Sequence, residues 1–136
     1  MSARQPVGVV LVSHSREVAD ASAALAKALA GAGADAPVIG AGGTPDGGVG
    51  TSSERIARAA HAVDRGAGVA LLVDLGSAVL TVKSLLAEGD ELPDGARLVD
   101  APFLEGAVAA VVTALAGGDL DAVANAASEA YAYRKE

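Results

Sequence analysis

The sequence has no cysteine, no tryptophan and very few other aromatic residues among its 136 positions. Without cysteine, disulfide bonds and thiolate metal sites are excluded, and a reducing compartment is favoured. With one phenylalanine and two tyrosines, the chain offers no aromatic platform on which bases or sugars could stack. The hydrophobic half of the sequence is therefore built mainly from Ala, Val and Leu. Side chains of this size predict a core in which helices lie close to a sheet.

Positive charge is also scarce in this sequence. Ten Lys and Arg residues stand against seventeen Asp and Glu residues, so the formal net charge is −7. No cluster of basic residues occurs, which argues against nucleic acids and anionic membranes as partners. The apolar runs are too short to cross a bilayer, and the N-terminal stretch lacks a signal-peptide cleavage pattern. We therefore expect a cytoplasmic protein without a membrane partner.

Short apolar runs alternate with segments of helical periodicity along the chain. The runs that predict buried strands are residues 7–12, 37–39, 69–73 and 97–99. The segments that predict helices are residues 16–30, 53–64, 77–87, 103–116 and 119–131. Strands that alternate with helices indicate one α/β domain over residues 1–136, with a mainly parallel sheet and helices on both faces.

The helical spacing also predicts which side chains face the core. In the first helix the expected apolar face is Val18, Leu25 and Leu29. In the second helix it is Ile56, Ala60 and Val63. In the fourth helix it is Leu104, Val108, Val111, Val112 and Leu115. Gly31 and Gly33 are placed to end the first helix, because glycine readily adopts the left-handed conformation found at such ends.

Residues that can do chemistry follow the ends of the predicted strands. They are Ser13-His14-Ser15, the glycine-rich stretch 40–53, the segment from Asp74 to Ser77, and Asp100-Ala101-Pro102. Ligands of parallel α/β sheets bind at this carboxyl edge, near the point where the strand order reverses. A histidine there is expected to be functional. The only other histidine, His61, is predicted to lie exposed in the middle of a helix.

His14 and Asp74 together indicate a nucleophile. Taken singly, each residue has an ordinary structural explanation. The histidine would form hydrogen bonds with its neighbours in a turn, and the aspartate would close a turn or cap a helix. On the same edge, a carboxylate that accepts a hydrogen bond from one ring nitrogen would fix the tautomer of the imidazole. The other nitrogen would then keep a free lone pair with which to attack. We therefore predict that His14 and Asp74 are catalytic.

Two turns, Gly50-Thr51-Ser52 and Gly76-Ser77-Ala78, lead into helices near this pair. Backbone N–H groups at a helix N-terminus attract phosphate or another anion, and nearby hydroxyls add donors. The predicted phosphoryl-binding residues are Ser15, Thr51, Ser52, Gly76 and Ser77. Ordinary capping would also explain each turn separately. Because neither a Walker A element nor a G-x-G-x-x-G sequence occurs, we predict no nucleotide or other cofactor on this chain. We also predict no metal, because no pair of Glu and His residues has the spacing of metal ligands.

Three motifs occur in order along the chain: VSHS at 12–15, the glycine-rich stretch that ends in GTS at 50–52, and VDLGSA at 73–78. Together they resemble the phosphotransferase subunits of bacterial dihydroxyacetone kinase, the DhaM family. That family belongs with the mannose-type enzyme IIA domains of the sugar phosphotransferase system. The resemblance covers residues 7–116. The mannose-type branch has a longer, tryptophan-containing turn after its aspartate, whereas DLGSA is similar to the dihydroxyacetone branch.

The resemblance implies a homodimer that accepts a phosphoryl group on a histidine from the phosphocarrier protein HPr. The group would pass to ADP held on the partner subunit DhaL, and the ATP formed would phosphorylate dihydroxyacetone bound on the subunit DhaK. The family's phospho-acceptor histidine matches His14, its orienting aspartate matches Asp74, and its loop hydroxyls match Thr51 and Ser77. Some relatives carry fused carrier and enzyme I domains, and we expect those partners to be separate proteins here.

Two other functions stay open on the sequence. One is a mannose-type sugar-transport component, which differs in its partners but not in its chemistry. The other is a regulatory module that binds phosphate or a metabolite, in which His14 only forms hydrogen bonds to the ligand.

Overall fold

The computed structural model describes residues 5–31 and 36–136. The elements, in chain order, are β1 (Gly8–Ser13), α1 (Arg16–Ala30), β2 (Val38–Gly42), α2 (Ser53–Val63), β3 (Val69–Val73), α3 (Gly76–Glu88), β4 (Ala96–Leu98), α4 (Phe103–Leu115), α5 (Leu120–Glu129) and a 3₁₀ turn (Ala130–Ala132). Every predicted strand and helix is present. In the part of the chain that is described, no helix is long and apolar enough to cross a membrane.

The four strands form one parallel sheet in the order β2-β1-β3-β4. In its centre, Val10 of β1 lies between Ile39 of β2 and Leu71 of β3. Helices α1, α4 and α5 cover one face of the sheet, and α2 and α3 cover the other. The predicted parallel sheet with helices on both faces is therefore confirmed. Because the chain leaves β1 towards β2 and later returns to its other side as β3, the strand order reverses at β1.

Strand β2 contains Gly40 and Gly42, which the sequence pattern had assigned to a functional loop. That assignment was wrong for these two glycines. A Cβ on Gly42 would lie 2.3 Å from the carbonyl oxygen of Ser15, and a Cβ on Gly40 would lie 2.7 Å from the carbonyl carbon of Ala19. Both contacts are with the chain at the start of α1, so the glycines allow this helix to approach the sheet closely.

The apolar face predicted for α1 was also wrong. Val18, Leu25 and Leu29 are 47%, 42% and 62% exposed. The residues that α1 buries are Ala19, Ser22, Ala23 and Ala26. Because α1 lies so near β2, the space between them admits small side chains but not leucine, and the larger side chains point away from the sheet.

In helix α4, too, part of the predicted apolar face is exposed and smaller residues are buried instead. The residues that α4 buries are Gly106, Ala107, Ala110, Val111 and Ala114, which include one predicted core residue, Val111. The predicted core residues that are instead exposed are Leu104 (43%), Val112 (47%) and Leu115 (38%), while Val108 is half-buried. A Cβ on Gly106 would lie 2.8 Å from the Cβ of Ala101, so this helix too packs on the core through small residues.

Two other predictions, the buried face of the second helix and the end of the first, agree with the structure. Helix α2 buries Ile56, Ala60 and Val63. Gly31 ends α1 in the left-handed conformation with φ of 73°, and its N–H donates to the carbonyl oxygens of Lys27 and Ala28. Gly33, the second glycine predicted at this end, lies outside the described residues.

Candidate active site

Strand β1 places His14 at the edge of the sheet where the strand order reverses. Ser13 ends the strand and is buried, and His14 follows with 21% of its side chain exposed. The N–H of Gly43 donates to the carbonyl of Ser13 at 3.3 Å, and the N–H of Gly50 donates to the carbonyl of His14 at 2.9 Å. The loop after β2 therefore holds the backbone of His14 from one side.

Asp74 reaches the same point from the opposite side of β1. It directly follows β3, and its N–H donates to the carbonyl of Val12 in β1 at 3.0 Å. Its Oδ1 lies 3.0 Å from Nδ1 of His14, and 17% of its side chain is exposed. The structure thus brings together the two residues that the sequence singled out as catalytic.

The carboxylate of Asp74 accepts hydrogen bonds at both oxygens. Oδ2 accepts from the Ser13 hydroxyl at 2.9 Å and from the His14 N–H at 3.1 Å, and Oδ1 accepts from the Leu75 N–H at 2.7 Å. Burial by itself raises the pKa of Asp74, but the hydrogen bonds from His14, Ser13 and Leu75 outweigh it, so the pKa is lowered. The group is therefore a carboxylate at neutral pH.

An ionised Asp74 selects one tautomer of His14. A proton on Nδ1 is donated to the carboxylate, and Nε2 keeps its lone pair. The hydroxyl oxygen of Ser77 lies 2.5 Å from Nε2, and in this tautomer the hydroxyl donates to that nitrogen. Nε2 is therefore the nitrogen that can act as a nucleophile, and a hydroxyl donor lies beside it.

The hydroxyls predicted to bind a phosphoryl group have different partners in the structure. Ser15 and Ser52 each accept the N–H three residues ahead at 3.2 Å, so they cap α1 and α2. Gly76 and Ser77 form the first turn of α3, whose N-cap residue, Leu75, makes no side-chain capping bond. Among these three helices, α3 is thus the one that begins without a side-chain cap, and it begins beside the imidazole.

Two further polar residues of the site were missed from the sequence. Ser13 was named at the end of the strand but was given no role, whereas its hydroxyl donates to the carboxylate of Asp74 and also accepts the N–H of Ser15 at 3.1 Å. Thr81 lies with its Oγ1 2.9 Å from Oγ1 of Thr51, which joins the loop after β2 to α3. The spacing from Ser77 to Thr81 is four residues, which puts both on one helix face and could have indicated this second residue.

The other candidate residues lie around this centre. His61 is exposed on α2, with Nε2 3.1 Å from the carbonyl oxygen of Glu91, so its predicted surface position is confirmed. Asp100 follows β4 and accepts the hydroxyl of Tyr131 at 2.6 Å, which ties the end of that strand to the C-terminal segment. A cavity of about 530 Å³ is lined by both Asp74 and Asp100 and adjoins the imidazole site.

Known proteins match this chain over most of its length. The family model EIIA-man, described as PTS system fructose IIA component, matches residues 8–124. The phosphoryl donor subunit DhaM of the PEP-dependent dihydroxyacetone kinase of Pantoea ananatis is 34% identical over 131 residues, which are 95% of this chain and 28% of that protein. DhaM of the PEP-dependent dihydroxyacetone kinase 2 of Listeria innocua is 30% identical over 86% of this chain and 93% of its own length.

The length covered differs between these relatives. The chain spans 28% of the length of DhaM from Escherichia coli, which is 31% identical, but nearly all of the Listeria relative. The crystal structure of the unknown function protein EF1359 has the same fold, with a TM-score of 0.76, 28% identity, and coverage of 91% of this chain and 94% of the other. The match over residues 8–124 and the identity to the DhaM proteins show that the chain belongs to the mannose-type enzyme IIA family, on its DhaM branch.

Proposed function

We propose that the chain is a phosphohistidine phosphotransferase that serves as phosphoryl donor to a dihydroxyacetone kinase. It accepts a phosphoryl group from HPr on His14 and passes the group to ADP on DhaL, and the ATP formed there phosphorylates dihydroxyacetone on DhaK. The observation that supports this most is the contact of 3.0 Å between Nδ1 of His14 and Oδ1 of Asp74, with Nε2 beside Ser77. The relatives are phosphoryl donor subunits of such kinases.

The first step is an attack by Nε2 of His14 on the phosphorus of the donor's phosphohistidine. The Nε2–P bond forms as the donor's N–P bond breaks, and the donor imidazole leaves with the electron pair of that bond. The ring of His14 becomes positively charged, and the carboxylate of Asp74 stabilises this charge through Nδ1–H without taking the proton. In the second step a terminal phosphate oxygen of ADP attacks the same phosphorus, and Nε2 recovers its lone pair.

Neutral donors around Nε2 suit a carrier better than a hydrolase. The hydroxyl of Ser77 can turn from Nε2 to an oxygen of the arriving phosphoryl group, and the first amides of α3 add dipolar stabilisation. The arginine nearest to His14 in sequence, Arg16, lies on the exposed side of α1 with its Nε 3.9 Å from Asp20. A phosphoryl group held by neutral groups keeps a high tendency to transfer onward.

The proposal assigns the nucleotide to DhaL and not to this chain. The sequence contains no element that cradles phosphates in the manner of a P-loop. The proposal also includes a homodimer, because a small domain with a core of small side chains buries little area by itself.

Phosphoenolpyruvate with a labelled phosphoryl group, together with enzyme I and HPr, tests the proposal. We expect one acid-labile phosphoryl group per chain, no labelling of His14→Gln, and almost full labelling of the matched control His61→Gln. With DhaL and ADP added, the label should appear in ATP. Labelling that persists in His14→Gln, or a parent chain that takes no label, contradicts the proposed function.

A further inference from the structure

Thr51 and Thr81 form a hydrogen bond that ties the loop after β2 to α3. Their Oγ1 atoms lie 2.9 Å apart, and both residues are half-buried. Among the described residues, this is the one side-chain hydrogen bond between residues 43–52 and α3. Three of the four residues before Thr51 are glycines, so the chain on that side offers little packing to fix its side chain. The contact with Thr81 therefore decides where the Thr51 hydroxyl lies.

Both threonines lie close to the imidazole of His14. Thr81 is one turn of α3, about 5.4 Å, from Ser77, whose hydroxyl contacts Nε2. Thr51 follows Gly50, whose N–H donates to the carbonyl of His14. The Thr51 hydroxyl is thus held between the backbone that supports His14 and the helix that reaches its nucleophilic nitrogen.

The direction of the hydrogen bond between the threonines follows from a third partner. The hydroxyl of Thr81 donates to the carbonyl of Ser77 at 3.4 Å. A hydroxyl has one proton to donate, so Thr81 accepts from Thr51, whose own proton is then used. In this arrangement Thr51 presents only lone pairs to an arriving phosphoryl group. Because phosphoryl oxygens are also acceptors, Thr51 must turn its proton towards them before it can bind them.

Thr81 can donate the hydrogen bond that makes this turn favourable. Its bond to the carbonyl of Ser77 is long, and that carbonyl also accepts the N–H of Thr81 in the regular pattern of α3. The Thr81 hydroxyl can therefore leave the carbonyl and donate to Thr51 instead. Thr51 then donates to a phosphoryl oxygen while its own oxygen stays bonded to Thr81. Both hydroxyls keep their protons and only rotate.

We propose that Thr81 is a positioning residue that holds the hydroxyl of Thr51 towards the phosphoryl group on His14. The inference rests on the proposed function and adds to it a residue that acts through another. A donor that is already in place stabilises the charge on the moving phosphoryl oxygens without reorganisation at the moment of transfer. The contribution of Thr81 is therefore made during transfer and not in the binding of HPr.

The rate at which phosphorylated HPr labels His14 tests the inference. Thr81→Val keeps the shape of the side chain and removes the hydroxyl, and we expect the rate at saturating HPr to fall about tenfold with little change in KM. Thr81→Ser keeps the hydroxyl and should restore most of the rate. The matched control is Ser84→Ala, at an exposed residue of the same helix, which should be labelled at the parent rate. Circular dichroism checks the fold of each variant.

Thr51→Val shows whether Thr81 acts through Thr51. Without the Thr51 hydroxyl, Thr81 has nothing left to position. Thr81→Val made in the Thr51→Val background should therefore slow labelling no further. The same loss from Thr81→Val in both backgrounds would mean that the two threonines act independently, which overturns the inference.

A measurement by NMR reports the position of Thr51 without any transfer. Three-bond couplings from Cγ2 of Thr51 to its backbone nitrogen and carbonyl carbon report its χ1 rotamer. We expect one rotamer in the parent chain and in Thr81→Ser, and averaging over rotamers in Thr81→Val. Thr81→Ala removes the same hydroxyl with a residue that favours a helix, and it should give the same averaging.

Three other outcomes overturn the inference: a folded Thr81→Val variant labelled at the parent rate, a Thr81→Ser variant as slow as Thr81→Val, or a single Thr51 rotamer in every variant. The proposed function is read separately, from the parent chain. A labelled parent chain with any of these outcomes contradicts the positioning role alone. A parent chain that takes no label contradicts the proposed function, whereas the couplings still show whether Thr81 holds Thr51.

Discussion

At the scale of single residues, the site depends on how Asp74 is held. Its two oxygens have contacts with the Ser13 hydroxyl, the N–H groups of His14 and Leu75, and the imidazole itself. These contacts keep the carboxylate ionised and prevent it from rotating. The imidazole is therefore oriented before any partner arrives. In the proposed transfer, the positive charge that develops on the ring would meet a group that is already in place.

Asp74→Asn tests whether this carboxylate supports the chemistry. The amide has a similar shape but no negative charge, and it can donate to Nδ1, which would leave the proton on Nε2. We expect phosphorylation of His14 to slow by about a hundredfold or more, with the fold retained. Labelling reactions that are quenched at successive times give the rate of phosphorylation, and circular dichroism checks the fold. A folded variant labelled at the parent rate would show that another group orients the imidazole.

Ser13→Ala tests the pH dependence of the pair. The hydroxyl lowers the pKa of Asp74, so its removal should raise that pKa towards the ordinary value. A lowered pKa keeps the carboxylate available to His14 until the pH falls through that value. As the pH falls, the variant should therefore lose the ionised carboxylate, and with it the contact to His14, at a higher pH than the parent chain does. Titration of the Asp74 carboxyl carbon by NMR measures this shift.

The control for this titration is Ser77→Ala. Ser77 contacts Nε2 of His14 and not the carboxylate, so this variant should leave the pKa of Asp74 where it is in the parent. Equal titration curves for the parent chain and Ser13→Ala would mean that the buried hydroxyl does not tune the carboxylate.

At the scale of elements, the close approach of α1 to β2 decides how the first helix is oriented. Gly40 and Gly42 remove the side chains that would keep the helix away from the strand, and Ala19, Ala23 and Ala26 fill the narrow space that remains. The same contact lets the chain turn from Ser13 into α1 within a few residues. This packing is therefore needed both for the core and for the position of His14.

Gly42→Ala tests this contact. The added methyl group would lie 2.3 Å from the backbone oxygen of Ser15, and backbone cannot move aside as a flexible side chain can. We expect a loss of about 1–3 kcal/mol in the free energy of unfolding, measured with urea. Gly76→Ala is the matched control, because a Cβ there meets no atom within 4 Å. If both variants unfold at the same urea concentration, the contact of α1 with β2 is looser than described.

At the scale of the whole molecule, the position of β1 between β2 and β3 assembles the site from distant segments. From the β2 side, the loop that follows the strand donates Gly50 N–H to His14. From the β3 side comes Asp74, which is 60 residues from His14 in sequence. With α1, α4 and α5 on one face of the sheet and α2 and α3 on the other, the imidazole lies at the shared edge where several segments can reach it.

The sequence by itself determined the features that depend on near neighbours along the chain. The alternation of strands and helices followed from local periodicity, and the first helix was predicted over the same residues, 16–30, that the structure shows as Arg16–Ala30. The place of His14 after a buried strand was equally local. In a parallel sheet, that place is already an edge where ligands bind.

Only the tertiary structure decided what depends on distances across the fold. Alanine and leucine are both apolar, so the periodicity of α1 could not show which stripe faces the sheet; the separation permitted by Gly40 and Gly42 settles it. The role of Ser13 was hidden for a related reason. Its hydroxyl bonds a carboxylate 61 positions away, and the contact exists because β1 pairs with β3. No pattern within a few residues of the serine records that pairing.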